Sequence, residues 1–197
     1  MKLSHIFLAV GTVLLAAQPA LAGELQFPES KDEMIKALKF QNATTEHEGK
    51  VYEVTESGEK FLIYKGKRYR MRGIGKIVDS DIVPKIGARI QFPVNGSAVQ
   101  AQSFRVLDQL AEALKDSTLS DSVIQVSGHT DTSGDTHQNM TLSQQRADAV
   151  KGYLISRHGI SPNRLISKGY GESKPLASNA DHQGRSQNRR VEFIRIE

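Results

Sequence analysis

The sequence Ile124-Gln125-Val126-Ser127-Gly128-His129-Thr130-Asp131 decides how the second half of the chain folds. Its start, at residues 123–126, is short, apolar and rich in β-branched residues, which is typical of a strand. Residues 132–139 are rich in turn formers and do not continue that pattern. We therefore expect a strand that ends near Gly128 and leads into a polar loop.

A helix is expected after this loop. Thr141, with Gln144 three residues later, has the pattern of a capping box, so we predict that the helix begins there. Arg146 then lies just inside the helix, while Asp131 lies at the mouth of the strand. Opposite charges on the two sides of one loop suit a ligand that is itself a small zwitterion.

Strand and helix patterns continue to alternate through the rest of the second half. Apolar residues recur at helical spacing in the segment 100–115, which predicts an amphipathic helix. Further strands are predicted at 88–94, 164–170 and 189–196. Strands that alternate with helices predict the α+β class, as a two-layer α/β sandwich in the order β-α-β-α-β-β.

The region before this domain is less regular. Its patterns predict a helix at 29–40 capped by Ser30, a polar break at 41–50, and a hairpin of strands at 50–54 and 61–64. A basic cluster at 65–72 is more typical of a solvated hairpin tip than of a site for an anionic polymer. Pro84 marks the predicted boundary, which divides the chain into an N-terminal region, 23–85, of unknown role and a main domain, 86–197.

The first residues, 1–22, have the features of a secretory signal peptide. Lys2 supplies the charged start, an apolar run follows at 6–17, and Ala20-Leu21-Ala22 supplies a small-x-small cleavage site. The apolar run is shorter than the roughly 20 residues of a membrane span. The chain has no cysteine to carry a lipid or to form a disulfide. We expect an exported, soluble periplasmic protein without a lipid anchor.

The composition and the motifs of the chain argue against several function classes. The net charge is +4, but basic and acidic residues are intermixed, which does not favour nucleic-acid binding. His129, Asp131, Asp135 and His137 lack the spacing of a metal site, and no cofactor is expected. A hydrolase or transferase is the least favoured class, because the chain has neither a cysteine nor a G-x-S-x-G elbow.

Several blocks of the second half occur in the order and at the spacing of one family. These blocks are Gly128-His129-Thr130-Asp131, Asn139, Leu142-Ser143, Arg146-Ala147, Val150, Gly169-Tyr170-Gly171, Pro175, Gly184-Arg185 and Asn188-Arg189-Arg190-Val191-Glu192. Together they resemble the OmpA-like peptidoglycan-binding domain, which closes many outer-membrane proteins, peptidoglycan-associated lipoproteins and flagellar stator proteins. The resemblance covers roughly residues 86–197, and the first half of the chain resembles no family that we can name.

The resemblance implies non-catalytic binding of peptidoglycan through the diaminopimelate of its stem peptide, and a cell-wall-modifying enzyme is the less favoured alternative. It also implies a place in a Gram-negative cell envelope, with association with the outer membrane or the cell wall left open. The family's ligand residues fall on Asp131 and Arg146, surrounded by Asn95, Thr130, Asn139, Leu142 and Arg189. Chemistry agrees for the central pair. A carboxylate such as Asp131 accepts from the ligand ammonium, and a guanidinium such as Arg146 holds the ligand carboxylate in a forked pair.

Some alternatives to this interpretation stay open. An Asp at a strand end and an Arg on the next helix often form only a surface salt bridge. Arg185 and Arg190 are interpreted as structural. The family usually has an acid directly after its first-strand phenylalanine, and Pro93 stands there instead. The N-terminal region also suits an envelope adaptor that binds another membrane or periplasmic protein, and the sequence does not fix the oligomeric state.

The signal peptide gives a first testable prediction. Cleavage after Ala22 should leave Gly23 as the first residue of the exported protein. Intact-mass measurement on protein from the periplasmic fraction checks this, and a mass that retains Met1 would contradict it.

Overall fold

A computed structural model of the protein describes residues 25–39, 43–47, 50–55, 58–64, 67–71 and 83–197. The predicted signal peptide lies outside these residues, as do residues 65, 66 and 72 of the basic cluster. The segment 72–82 before the predicted domain boundary is also outside them.

The described chain contains four α-helices and eight strands. In chain order they are α1 (Lys31–Leu38), β1 (Ala43–His47), β2 (Lys50–Val54), β3 (Lys60–Tyr64), β4 (Lys67–Arg70), β5 (Lys85–Ala88), α2 (Phe104–Lys115), β6 (Ile124–Gly128), α3 (Thr136–His158), β7 (Leu165–Gly169), α4 (His182–Asn188) and β8 (Val191–Arg195). No described helix is both long enough and apolar enough to cross a membrane.

The second half forms a mixed sheet in the order β5-β8-β6-β7. Strands β6 and β7 are parallel, whereas β8 runs antiparallel to both β5 and β6. One face of the sheet packs against α2 and α3 through fully buried side chains such as Val126 and Phe193, which meet Leu110 and Leu154. This confirms the predicted α+β sandwich, with the short helix α4 as an addition between the last two strands.

Helix α1 belongs to the same core although it lies in the N-terminal region. The Ser30 hydroxyl accepts a hydrogen bond from the Glu33 backbone N–H at 3.4 Å, so it caps the helix as predicted. Met34 and Leu38 are buried in the core cluster that includes α2 and α3. Just before α1, the Gln26 carbonyl accepts from the Gly87 N–H at 2.7 Å, which pairs part of the outer edge of β5.

The N-terminal strands form a second, antiparallel sheet in the order β1-β2-β3-β4. The predicted hairpin is present as β2 and β3, and the sheet extends it on both sides. Tyr52 and Val54 pack against Ile194 and Ile196, on the face of the main sheet opposite the helices. The Lys60 ammonium donates to the Ile196 carbonyl at 2.7 Å, and its burial lowers the pKa of that lysine. The main sheet is therefore covered on both faces over part of its area.

Two sequence predictions in these regions are wrong. Strand β5 ends at Ala88, so the predicted strand at 88–94 does not form. Ile90 and Phe92, two apolar residues of this segment, lie in a loop and pack on the core. Their spacing of two residues is the same as in a strand with one buried face. The predicted polar break at 41–50 contains strand β1, whose partner along its length is β2. A strand at the edge of a sheet forms through backbone pairing, which a polar sequence allows.

The predicted start of α3 is also wrong. The helix begins at Thr136, and the Asp135 carboxylate caps it by accepting from the Gln138 N–H at 3.0 Å. Thr141 instead donates to the His137 carbonyl within the helix, at 3.1 Å. The capping-box pattern at Thr141 and Gln144 therefore arises inside a helix.

Two glycines test how closely α3 lies on the sheet. A Cβ added to Gly128 would overlap the Ser143 carbonyl, so Gly128→Ala should destabilise the fold by about 1–3 kcal/mol or more. Gly152 lies in α3 with no atom within 4 Å of an added Cβ, so Gly152→Ala should stabilise it by about 0.5–1 kcal/mol. Urea unfolding of both variants checks these opposite signs, and a neutral Gly128→Ala would contradict the close approach.

Candidate functional site

The predicted ligand residues come from segments that meet at one end of the main sheet. Gly128 at the end of β6 lies opposite Val191 at the start of β8, and Val191 lies opposite Ala88 at the end of β5. The loop after β6, the two residues before β8 and the loop after β5 therefore share this end. Asp131, Arg189 and the segment 91–96 belong to these three segments.

Asp131 is a buried carboxylate with two partners. Its Oδ2 accepts from Arg189 Nη1 at 2.6 Å, and its Oδ1 accepts from the Ser133 N–H at 2.8 Å. Burial by itself raises the pKa of Asp131, but the hydrogen bonds from Arg189 and Ser133 outweigh it and hold that pKa below its usual range. Asp131 is therefore charged at neutral pH, and its ion-pair partner is Arg189.

Arg146 reaches the same end from α3. Its Nε donates to the Gly96 carbonyl at 3.0 Å, and its guanidinium carbon lies 4.9 Å from the centre of the Phe92 ring. Burial lowers the pKa of Arg146, while the nearby Asp131 carboxylate opposes that change. The salt bridge weighed as an alternative for Asp131 and Arg146 is formed by Asp131 with Arg189 instead. An arginine remains protonated in such surroundings.

Asn139, Thr130 and Leu142 surround the charged groups in different ways. The Asn139 amide nitrogen reaches the carbonyls of Asp131 and Ser133, both at 3.2 Å, and the Glu172 carboxylate at 2.7 Å. Its side-chain amide thus holds the loop in shape. The Thr130 N–H donates to the Gly171 carbonyl at 2.9 Å, its hydroxyl is buried, and Leu142 is half-buried on α3.

Asn95 stands apart from these residues because its side chain is exposed. Its backbone φ is 55°, in the left-handed region. It lies in a turn that is closed by a hydrogen bond from the Gly96 N–H to the Pro93 carbonyl at 3.0 Å. The sequence indicated Asn95 through its family position, but the role of the Gly96 carbonyl has no sequence signal, because it is a backbone group.

The two arginines interpreted as structural, Arg185 and Arg190, bind backbone carbonyls, and Arg190 also binds a carboxylate. Arg190 is buried and donates to Glu192 Oε1 at 2.7 Å and to the Lys174 carbonyl at 3.0 Å. Arg185 donates to the carbonyls of Asn179 and Ala180. Both side chains tie the last loop to its surroundings, which agrees with their structural interpretation.

A cavity of about 290 Å³ lies elsewhere, between residues 27–29, β5 and the start of α2. Phe27, Arg89 and Arg105 are among its lining residues, and none of the predicted ligand residues lines it. The charged groups suited to a zwitterion converge at the end of the sheet instead.

His129, directly before the site, is a buried neutral side chain. Its ring stacks on Tyr170 with centroids 5.3 Å apart, and neither ring nitrogen has a hydrogen-bond partner. Burial, together with the charges of Arg190 and Lys174, lowers the pKa of His129 to about 3. Its Nε2 lies 3.6 Å from Glu192 Oε1, but because the ring is neutral the contact is not an ion pair. Within the described chain, no group of three metal-ligating side chains includes it.

Burial of a neutral histidine predicts acid sensitivity. Below about pH 6.5, His129 is protonated in the unfolded chain but stays neutral in the folded one. The free energy of unfolding therefore falls as the pH drops from about 6.5 towards about 3. His129→Phe keeps the stack on Tyr170 but has no proton to bind. Below pH 6.5, its free energy of unfolding should therefore fall by about 1 kcal/mol less per pH unit than that of the wild type. Unfolding curves at pH 7.5, 6 and 5 check this, with His137→Gln at an exposed position as control. Equal slopes for wild type and His129→Phe would contradict it.

Sequence and structure comparisons agree on the relatives of this chain. Outer membrane porin F of Pseudomonas fluorescens is 38% identical over 110 residues, which cover 56% of this chain and 33% of the relative. Peptidoglycan-binding protein ArfA of Mycobacterium tuberculosis is 35% identical over 108 residues, which cover 55% of this chain and 32% of the relative. The chain thus spans about a third of the length of these relatives.

Among solved structures, the fold is shared with a putative MotB-like protein of Desulfovibrio vulgaris. The two superpose with a TM-score of 0.51 at 21% identity, over 84% of this chain and 90% of that chain. Residues 91–189, which hold the charged site, match the OmpA family, and the chain belongs to that family.

Proposed function

We propose that this protein binds cell-wall peptidoglycan non-covalently, through the free end of diaminopimelate in the stem peptide. Peptidoglycan-binding proteins of the OmpA family are non-enzymatic, and one relative is named for peptidoglycan binding. The observation that carries the proposal is the grouping of three charged side chains at one end of the sheet, where Arg189 binds Asp131 and Arg146 binds the Gly96 carbonyl. One carboxylate and two guanidinium groups there are complementary to a ligand with one ammonium and at least one carboxylate.

Each ligand group has a protein partner of opposite charge. The free end of diaminopimelate carries an ammonium and a carboxylate on one carbon. Asp131 is charged at neutral pH and accepts from the ammonium, sharing its oxygens with Arg189. The Nε of Arg146 donates to the Gly96 carbonyl. Its two terminal nitrogens are left for a forked pair with the ligand carboxylate.

The remaining residues of the predicted set shape the walls of the site. Asn139 holds the loop that carries Asp131, and Thr130 connects the same loop to Gly171. Leu142 adds a half-buried apolar side chain on α3. We include Asn95 as part of the turn beside Arg146.

We also propose that residues 86–197 form the wall-binding domain and that the protein works in the cell envelope, where its relatives are named as outer-membrane proteins. Helix α1 and the small sheet pack on this domain, so the described part of residues 23–85 forms a layer attached to it. An adaptor role for that layer, with another envelope protein as partner, remains a prediction from the sequence.

The charged groups give a direct binding test. Asp131→Ala and Arg146→Ala should each weaken binding to diaminopimelate-containing peptidoglycan, because either change leaves one ligand charge without its partner. Such losses reach about 2–5 kcal/mol in buried interfaces and are smaller in open ones. Arg146→Lys should recover only part of the loss, because an ammonium does not form a forked pair with a carboxylate. Co-sedimentation with purified walls measures all three variants.

The controls separate recognition from folding. Arg157→Ala removes an exposed arginine from the last turn of the same helix and should bind like the wild type. Walls with lysine in place of diaminopimelate lack the second carboxylate, so the wild type should bind them weakly. If Asp131→Ala and Arg146→Ala keep their thermal transitions and co-sediment like the wild type, the site assignment is wrong.

A further inference from the structure

The turn at residues 93–96 has a shape that depends on one residue. The Gly96 N–H donates to the Pro93 carbonyl at 3.0 Å, which closes a four-residue turn. Asn95 occupies its third position with φ of 55°, the sign that a type II turn requires there. Asn95 is the one non-glycine residue with a positive φ in the described part of the chain. Asparagine tolerates this region better than most residues, and β-branched residues tolerate it least.

Little besides the backbone of residue 95 holds the tip of this turn. Val94, at the second position, is 93% exposed, and the side chain of Asn95 is exposed as well. The base of the turn is packed, because a Cβ added to Gly96 would lie 3.0 Å from the Cβ of Pro93. The conformational preference at position 95 therefore decides where the Gly96 carbonyl points.

That carbonyl is the hydrogen-bond acceptor for Arg146. Its oxygen lies 3.0 Å from Arg146 Nε, and the guanidinium also lies over the Phe92 ring at 4.9 Å. A guanidinium is planar, so fixing Nε and one face fixes the direction of the two terminal nitrogens. Turn shape and guanidinium direction are thus coupled through one hydrogen bond.

We propose that Asn95 is a positioning residue for Arg146. Its left-handed backbone presents the Gly96 carbonyl to Arg146 Nε, and the amide group of its side chain makes no required contact with the ligand. This inference rests on the proposed binding of a diaminopimelate carboxylate by Arg146. It assigns to the backbone of Asn95 the role that the family resemblance implies for a ligand-contacting side chain.

Two substitutions at this position separate the backbone role from the side-chain role. Asn95→Gly removes the amide but keeps the left-handed region, so its affinity should stay within about twofold of the wild type. Asn95→Val keeps a side chain but disfavours that region, so its affinity should fall about tenfold. Ala98→Val places the same side chain at a nearby exposed position without a positive φ and should bind like the wild type.

The readout is calorimetry of the full-length exported protein with two soluble peptides. One is a stem tripeptide that ends in meso-diaminopimelate, and the other ends in lysine. A mispositioned Arg146 weakens only the interaction with the extra carboxylate. Asn95→Val should therefore lose affinity for the first peptide and keep its weak affinity for the second, whereas general destabilisation of the protein would lower both.

Each outcome decides between the two roles. If Asn95→Gly loses as much affinity as Asn95→Val while melting like the wild type, the side chain contacts the ligand and the proposal is overturned. If Asn95→Val binds like the wild type, the turn does not position Arg146 and the proposal is also overturned. Failure of the proposed function has a different signature, in which Arg146→Ala keeps wild-type affinity for the diaminopimelate peptide.

Discussion

The close contact between helix α3 and the strands β6 and β7 is the constraint on which the site depends. Gly128 leaves no room for a side chain beneath the Ser143 carbonyl, and Gly169 leaves none beneath Gln144. The Gly169 N–H donates to Gln144 Oε1 at 2.7 Å, and the Gly171 N–H donates to Ser143 Oγ at 2.8 Å. The helix is thus fixed sideways on the sheet just before Arg146, so the distance from Arg146 to the end of β6 is set by the backbone.

The buried carboxylate at that end needs a resident cation. A buried charge without a partner is strongly destabilising, and Arg189 supplies the partner for Asp131 before any ligand arrives. In the binding mode proposed above, a ligand ammonium would share the carboxylate with Arg189 or replace it. The binding free energy would then be a difference between two ion pairs.

Sequence patterns were informative where local and tertiary signals agree. The helix α1 with its Ser30 cap and the helix α2 follow from periodicity, because their apolar faces are also their buried faces. The strands β6 and β7 follow from their β-branched and apolar residues, although Ile166 of β7 is exposed and β6 is buried on both faces. The patterns failed where tertiary contacts override them. Ile90 and Phe92 alternate in a loop that packs on the core, and β1 is a polar strand that exists only through its pairing with β2.

Prediction of the charged site had a similar limit. The family blocks identified Asp131, Arg146 and Arg189, because charged side chains are visible in a sequence. The start of α3 was misplaced, because Asp135 with Gln138 three residues later has the same capping pattern as Thr141 with Gln144, and the pattern by itself does not say which of the two caps the helix. The Gly96 carbonyl and the Ser133 N–H, which fix Arg146 and Asp131, are backbone groups whose roles appear only in the folded chain.

The order of strands has a consequence for export. Strand β8 is the last strand in the chain but lies between β5 and β6 in the main sheet. Until its residues are available, β5 has no neighbour on that side and β6 pairs only with β7. A chain that crosses a membrane with its N-terminus first would complete this sheet only after its final residues emerge. For a protein exported as its predicted signal peptide implies, this topology would delay completion of the main sheet until translocation ends.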